Sequence, residues 1–134
     1  MFYIFSMDHN NILGVVLAGG RSKRFGEDKS QVRLNNKRLI DYILSEILTE
    51  FNEVLIISNN KIDFMTSSKI TKIEDDEKDL GPLGGVLTAM RWINKNKKKY
   101  QWISTFPSDT PFFNKKILND FYENINTKTV SFFL

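Results

Sequence analysis

Four cations and three glycines lie within one stretch of the sequence, residues 17–29, called the glycine loop here. It follows an apolar run, residues 12–17, that is typical of a buried parallel strand. Gly19 and Gly20 have no Cβ and can take positive φ, so the chain can turn sharply and an anion can reach consecutive backbone N–H groups. The cations of this stretch are Arg21, Lys23, Arg24 and Lys29. The pattern predicts a polyphosphate site at the end of a strand.

Spacing excludes two other phosphate-binding loops. A Walker loop has four residues between its first glycine and the Gly-Lys-Ser/Thr triplet, whereas five residues separate Gly20 from Gly26, and Glu27 follows. The dinucleotide pattern Gly-x-Gly-x-x-Gly is absent as well. A basic, glycine-containing surface turn is the alternative interpretation of the glycine loop.

Carboxylates follow two later predicted strands. The first strand, residues 71–73, leads into four consecutive acids at 74–77, called the acid loop here, and Gly81-Pro82 then begins a helix. Carboxylates in this loop can accept hydrogen bonds from guanine or ribose, although a solvated acidic loop is the alternative. The second strand, residues 100–106, leads to Asp109. Pro107 and Pro111 restrict the backbone on both sides of Asp109, as suits a metal ligand, although an Asx turn or a helix N-cap also fits.

Alternating apolar strands and amphipathic helices must position these residues. We predict helices at residues 39–51, from 83 onward and at 114–125, strands at 12–17, 54–57 and 129–134, and a short helix within 61–68. Ser58 and Asn59 follow the predicted strand at 54–57, where they are candidates for base or ribose contacts or form a plain turn. Residues 31–34 are predicted to be extended and 35–37 to turn. The predicted inward-facing helix residues are Leu83, Val86, Leu87, Met90, Ile93, Ile117, Leu118 and Phe121.

The composition suits one domain, residues 11–134, after an extension at 1–10 that we expect to be disordered. There is no cysteine, which excludes disulfides and thiolate metal sites and favours the cytoplasm. The net charge is +3, and its densest run, at 95–99, fits a solvated helix end better than a nucleic-acid surface. No apolar stretch is long enough to span a bilayer.

Three motifs resemble those of the molybdenum cofactor guanylyltransferases, a family of nucleotidyltransferases. The first is Leu17-Ala18-Gly19-Gly20-x-Ser22-x-Arg24-Phe25-Gly26-x-Asp28-Lys29, which is similar to the family's signature loop. The second is Ile73-Glu74-Asp75 followed by Gly81-Pro82-Leu83-x-Gly85, and the third is Asp109-Thr110-Pro111. The resemblance begins at Ile12, and family members continue well beyond the position that matches Leu134, so it implies a C-terminal truncation.

The resemblance implies a three-layer α/β/α fold, Rossmann-like, with a mostly parallel sheet of the nucleotide-diphospho-sugar transferase type. It implies transfer of GMP from GTP to molybdopterin, giving the guanine dinucleotide cofactor and pyrophosphate, with possible partner proteins of cofactor biosynthesis. The implied catalytic residues are Arg24, Lys29 and Asp109. The implied nucleotide-binding residues are Leu17, Ala18, Gly19, Gly20, Lys29, Asp75 and Asp109, with Mg²⁺ on Asp109. A cytidylyltransferase or another nucleotidyltransferase, and a non-catalytic nucleotide-binding fragment, are the alternatives.

Overall fold

Four parallel strands form the central sheet among the residues that the structure describes. The computed structural model describes residues 9–19, 23–24, 27–77 and 79–124, with the backbone alone at 9, 23, 24, 27 and 121–124. The strands are β1 (Ile12–Leu17), β2 (Val54–Ile57), β3 (Ile70–Ile73) and β4 (Trp102–Pro107), and their order in the sheet is β3-β2-β1-β4. Both strands that pair with β1 run parallel to it, with Leu17 opposite Ile57 on one side and Pro107 on the other.

Helices cover both faces of this sheet. One face carries α1 (Leu39–Ile47) and α3 (Lys115–Asn124), and the other carries α2 (Pro82–Lys95). β1 and β2 are buried between these layers, which is why their sequences are continuously apolar. Gly14 makes room in β1, because a Cβ there would lie 3.1 Å from the ring of Phe51. The predicted three-layer α/β/α fold is therefore confirmed.

A tight hairpin precedes α1. Arg33–Leu34 pairs antiparallel with Lys37–Arg38, and the two residues between them, Asn35 and Asn36, have φ of +49° and +64°. Asparagine tolerates this left-handed conformation better than most side chains. The predicted turn at 35–37 is confirmed at Asn35 and Asn36, whereas Lys37 already belongs to the second strand of the hairpin. The extended piece at 31–34 is confined to its last two residues because Lys29–Gln31 forms a 3-10 turn.

The first predicted helix ends sooner than its apolar pattern. Leu48 is the C-cap of α1, and Phe51, which lies outside the helix, is still buried in the core. The backbone N–H of Phe51 bonds to the carbonyl of Ile47 in a turn, so the pattern continues in space although the helix has stopped.

The segment 61–68 is irregular, so its predicted short helix is wrong. Tertiary hydrogen bonds replace helical ones: the Asp63 N–H donates to the side chain of Gln31 at 3.0 Å, and the Met65 N–H donates to Asp41 at 2.7 Å. Ile62 is buried, and Met65 packs against the same cluster, on the α1 face of the sheet. A right-handed β2-to-β3 crossover requires that face.

Two predicted helix faces need correction. Leu83 and Met90 of α2 are 71% and 55% exposed, although Ile93 packs on the sheet as predicted. Small residues form the buried face instead, and they are Gly84, Gly85, Thr88 and Ala89. Ile117 of α3 is 51% exposed, while Leu118 is buried.

Other boundaries differ by one or two residues. β3 begins at Ile70, and β4 runs from Trp102 to Pro107 rather than over 100–106. α3 is described to Asn124, and Asn114 caps it as predicted by accepting the N–H of Lys116 at 2.9 Å. The expectations for residues 1–8, for the side chain of Phe121 and for a strand at 129–134 lie outside the described residues. In the part of the chain that the structure describes, no helix has the length and apolarity needed to cross a membrane.

Candidate nucleotide-binding site

The carboxyl ends of all four strands meet at one edge of the sheet. β1 leads into the glycine loop, β2 into residues 58–60, β3 into the acid loop and β4 into Ser108 and Asp109. The chain moves outward from β1 to β3 and then returns to place β4 on the other side of β1. In doubly wound sheets, ligands bind at this reversal, beyond the ends of the two adjacent strands. Here those strands are β1 and β4.

Lys29 and Asp109 meet at this reversal. The Lys29 ammonium Nζ lies 4.0 Å from Asp109 Oδ2, and the two side chains are 36% and 39% exposed. They come from opposite ends of the chain and are joined only because β4 pairs with β1. A cation and a carboxylate are thereby presented to solvent side by side, next to the exit of β1.

The glycine loop leaves β1 with the backbone of Gly19 open to solvent. The Ala18 N–H donates to the Ile57 carbonyl at 2.9 Å, and the Ala18 carbonyl accepts the hydroxyl of Ser58 at 3.0 Å. Gly19 is exposed, and within the described ranges no hydrogen bond uses its N–H. The φ of Gly19 is not positive, so a positive φ does not explain a glycine at this position. Instead, the absence of a Cβ leaves the backbone open to approach. Leu17 is half-buried at the end of β1.

Asp28 holds the other end of the glycine loop. Lys23 and Arg24 pair antiparallel with Glu27 and Asp28. The Asp28 carboxylate caps the next turn by accepting the Ser30 N–H at 2.9 Å, and it also accepts the Asn60 side-chain amide at 2.7 Å. Asp28, the residue that precedes Lys29, is therefore held in place by two hydrogen bonds.

Asp75 is held firmly within the acid loop. Its Oδ1 accepts the hydroxyl of Thr88 at 2.8 Å and the N–H of Glu77 at 3.0 Å, while its own N–H donates to Asn59 Oδ1 at 2.8 Å. Arg91 pairs with Glu77 at 2.7 Å. No hydrogen bond or ion pair engages the side chain of Asp76 within the described chain, so this carboxylate points its acceptors to solvent.

The two glycines in the first turn of α2 allow the acid loop and β1 to approach the helix. A Cβ on Gly84 would lie 2.6 Å from the Glu77 carbonyl oxygen, and one on Gly85 would lie 2.5 Å from the side chain of Leu17. Gly81, just before the helix, has φ of +56°, which favours glycine. Close approach of neighbouring protein groups thus explains the pair.

The described carboxylates suit a magnesium ion that is shared with a phosphate ligand. No three His, Cys, Asp or Glu side chains in those residues converge as a metal site. Magnesium, however, is commonly held by one or two carboxylates together with substrate phosphates. Asp109, exposed at the reversal and rigidly placed after β4, fits that role.

Most of the predicted site residues that the structure describes lie along this edge. Asp75 and Asp109 stand at the ends of β3 and β4, and Lys29 stands beside Asp109. For Arg24 the backbone alone is described, and Gly20 lies outside the described residues. Ser58 and Asn59, predicted as ligand contacts or as a plain turn, bond to the protein itself. Sequence reasoning missed Asn60 and Thr88, because their partners are distant in the chain.

The sheet order and the residues at its reversal define a doubly wound α/β domain of the kind that binds nucleotides. The chain also matches, over residues 14–133, the family described as "MobA-like NTP transferase domain". It belongs to that family.

Curated relatives carry a consistent name. The chain is 36% identical over 115 residues to the "Probable molybdenum cofactor guanylyltransferase" of Halalkalibacterium halodurans, which covers 83% of this chain and 56% of the relative. It is 34% identical over 123 residues to the protein of the same name from Methanocaldococcus jannaschii, covering 86% and 57%. The chain thus spans a little over half the length of these relatives.

Solved structures share the fold. Rv0371c from Mycobacterium tuberculosis H37Rv superposes with a TM-score of 0.68 at 18% identity, covering 85% of this chain and 59% of that chain. The 4-diphosphocytidyl-2C-methyl-D-erythritolsynthase from Anaerococcus prevotii gives a TM-score of 0.62 at 11% identity, covering 87% and 51%. The nucleotide-diphospho-sugar transferase type of fold is thereby confirmed.

Proposed function

We propose that the chain is the nucleotide-binding portion of a molybdenum cofactor guanylyltransferase, which transfers GMP from GTP to molybdopterin. The observation that carries this proposal is the contact of Lys29 with Asp109 at the reversal of the sheet. The names of the curated relatives support the choice of guanine nucleotide and of molybdopterin. We place the reaction in the cytoplasm, as the cysteine-free composition favours.

The triphosphate is proposed to lie over the exit of β1. The Gly19 N–H and Gly20 N–H bind its oxygens, and Leu17 and Ala18 shape the floor beneath it. Lys29 and Arg24 stabilise the negative charge that grows on the leaving pyrophosphate. Preorganised donors of this kind typically contribute about 3–4 kcal/mol each to the stabilisation of a transition state.

Asp109 is the residue proposed to hold magnesium. When bound, the ion supplies charge neutralisation to the phosphate oxygens. In the absence of a ligand, Asp109 pairs with Lys29 across a solvent-exposed gap, and such a pair is weak enough to exchange for new partners. The carboxylate is therefore available to a cation, and the ammonium to a phosphate.

The transfer itself needs no protein base. A phosphate oxygen of the acceptor forms a new bond to the α-phosphorus of GTP. The bond from that phosphorus to the oxygen that bridges it to the β-phosphorus breaks, and pyrophosphate leaves with that oxygen. The attacking phosphate is already ionised near neutral pH, because its second pKa is about 6. The work of the chain is to position two anions and screen their repulsion.

The acid loop is proposed to face the nucleoside. Asp75 is fixed by Thr88 and Asn59, and its carboxylate and that of the neighbouring Asp76 are hydrogen-bond acceptors at the sheet edge. Guanine presents two adjacent donors to a carboxylate, N1–H and the N2 amino group, whereas cytosine presents its N4 amino group beside an acceptor, which favours GTP over CTP at this position. Proteins of cofactor biosynthesis are the proposed partners that deliver the acceptor.

Titration of the protein with GTP and with CTP in the presence of magnesium tests this proposal. We expect GTP to bind more tightly than CTP, and Lys29→Ala and Asp109→Ala to weaken GTP binding while leaving the unfolding temperature close to that of the parent protein. Lys116→Ala is the matched control, because this lysine is exposed on α3 and its side chain makes no hydrogen bond or ion pair in the described chain.

Release of pyrophosphate on addition of molybdopterin tests the transfer step. We expect Lys29→Ala to slow it by about 10²- to 10³-fold. Preference for CTP would favour a cytidylyltransferase. Binding of GTP without release of pyrophosphate would identify a nucleotide-binding fragment without turnover, and failure to bind any nucleotide would overturn the proposal.

A further inference from the structure

The turn at residues 58–60, called the asparagine turn here, touches both loops of the candidate site. We infer that it is a positioning device, in which Asn60 sets the place of Lys29 and Asn59 sets the place of Asp75. This inference rests on the proposed function for its meaning in catalysis, because Lys29 and Asp75 are the residues assigned there to opposite ends of the nucleotide.

Ser58 fixes the turn to the sheet. It is fully buried, its hydroxyl donates to the Ala18 carbonyl at 3.0 Å, and its N–H donates to the Ile73 carbonyl at 3.0 Å. The ammonium of Lys72 donates to the Ser58 carbonyl at 3.3 Å. The turn is thus tied to the exits of both β1 and β3, so its two asparagines start from a rigid base.

Asn60 reaches toward the phosphate side. Its side-chain amide donates to Asp28 Oδ2 at 2.7 Å, and Asp28 Oδ1 accepts the Ser30 N–H at 2.9 Å. Lys29 lies between these two anchored residues, with its ammonium 4.0 Å from Asp109. Hydrogen bonds to a carboxylate are about twice as strong as neutral ones, so Asn60 restrains the backbone from which Lys29 projects.

Asn59 reaches toward the nucleoside side. Its Oδ1 accepts the N–H of Asp75 at 2.8 Å, while Thr88 donates its hydroxyl to Asp75 Oδ1 at 2.8 Å. The main chain and the side chain of Asp75 are therefore held by two different elements. Loss of Asn59 leaves the carboxylate attached to α2 but releases its backbone from the turn.

The two asparagines are adjacent in sequence but act on different ends of the site. Removal of either one is expected to disturb its own loop and to leave the other in place. A role confined to general stability would affect both loops equally. The contrast between the two variants therefore distinguishes positioning from packing.

Amide hydrogen exchange tests, without any ligand, how firmly each asparagine holds the backbone of its loop. We expect Asn60→Ala to speed exchange of the Ser30 N–H by about fivefold, as loss of about 1 kcal/mol predicts, and to leave the Asp75 N–H unchanged. Asn59→Ala is expected to do the reverse. Asn94→Ala is the matched control, since Asn94 is exposed on α2 and its side chain makes no hydrogen bond in the described ranges. Equal or absent changes at both amides would overturn the inference.

Ligand affinities then test the consequence for the site. We expect Asn60→Ala to weaken GTP and inorganic tripolyphosphate about tenfold and GMP little, and Asn59→Ala to weaken GTP and GMP while sparing tripolyphosphate. Equal losses for all three ligands would overturn the division between the two asparagines. Should the parent protein bind none of them, the proposed function fails, and the exchange measurement alone decides whether the turn positions its two loops.

Discussion

At the scale of single residues, the pairing of Lys29 with Asp109 contributes little to folding. Each side chain is more than a third exposed, and ion pairs of this kind stabilise a protein by about 1 kcal/mol or less. Both residues were predictable from sequence, because each follows a strand end in a distinctive local string. Asn60 was not, since nothing in Ser58-Asn59-Asn60 indicates that Asp28 is its partner.

Gly84 gives a test at this scale. Substitution to alanine favours the helix by about 1 kcal/mol in isolation, but the new Cβ would lie 2.6 Å from a backbone carbonyl that cannot easily move. We expect Gly84→Ala to lower the free energy of unfolding by about 1–3 kcal/mol, as overpacking does, when measured by urea denaturation.

Gly85→Ala is the matched comparison. Its Cβ would meet the end of the Leu17 side chain, at 2.5 Å, and that side chain can rotate. We expect the cost to be smaller than for Gly84→Ala. If the two variants were equally stable, the proximity of the acid loop to α2 would not explain Gly84.

At the scale of elements, burial of α2 follows residue size more than hydrophobic spacing. The sequence predicted an inward face that includes Leu83 and Met90, yet the helix lies on the sheet through Gly85 and Ala89 and meets the acid loop through Gly84. Small residues permit close packing, and they carry almost no signal in a hydrophobic periodicity. The strands were easier to predict, because burial on both faces leaves a continuous apolar run.

Substitutions on the two faces of α2 test this orientation. Met90→Lys places a charge on the exposed face, so we expect the free energy of unfolding to change by no more than about 0.5 kcal/mol. Ala89→Lys places the same charge beside the buried cluster of Leu13 and Leu55, and we expect a loss of about 3 kcal/mol or more. A large loss of stability in Met90→Lys would show that Met90 lies on the buried face of α2, as the sequence predicted.

At the scale of the whole molecule, the two edges of the sheet differ in chemistry. The carboxyl edge holds the candidate site, and the opposite edge holds a structural network around Glu53. The Glu53 carboxylate accepts the hydroxyl of Tyr100 and pairs with the ammonium of Lys98 at 3.1 Å. This network joins the start of β2 to the connection between α2 and β4. The layered fold was predictable from the alternation of elements, whereas such contacts depend on which strand ends become neighbours.

The network predicts weaker stability at alkaline pH. Burial, the hydrogen bond to Glu53 and the charge of Glu53 raise the pKa of Tyr100 above its usual value near 10. At a pH below about 10, Tyr100 is protonated in both the folded and the unfolded state, and its contribution to the free energy of unfolding is complete. Above it the unfolded chain loses the proton first, so the free energy of unfolding falls as pH rises toward the folded pKa.

Urea denaturation from about pH 8 to about pH 11 measures this effect. We expect the parent protein to lose stability more steeply with pH than Tyr100→Phe, in which Glu53 keeps its ion pair with Lys98. Parallel curves for the two proteins would show that the hydroxyl does not titrate differently on folding.

The pairing of β1 with β4 also determines when the candidate site comes into existence during synthesis. Lys29 belongs to the first quarter of the chain and Asp109 to the last, and their strands join across nearly the whole of the intervening polypeptide. Contacts between such distant segments form late in folding. A nascent chain that has not yet released β4 from the ribosome therefore carries the glycine loop without Asp109, and the two come together only after β4 has joined the sheet.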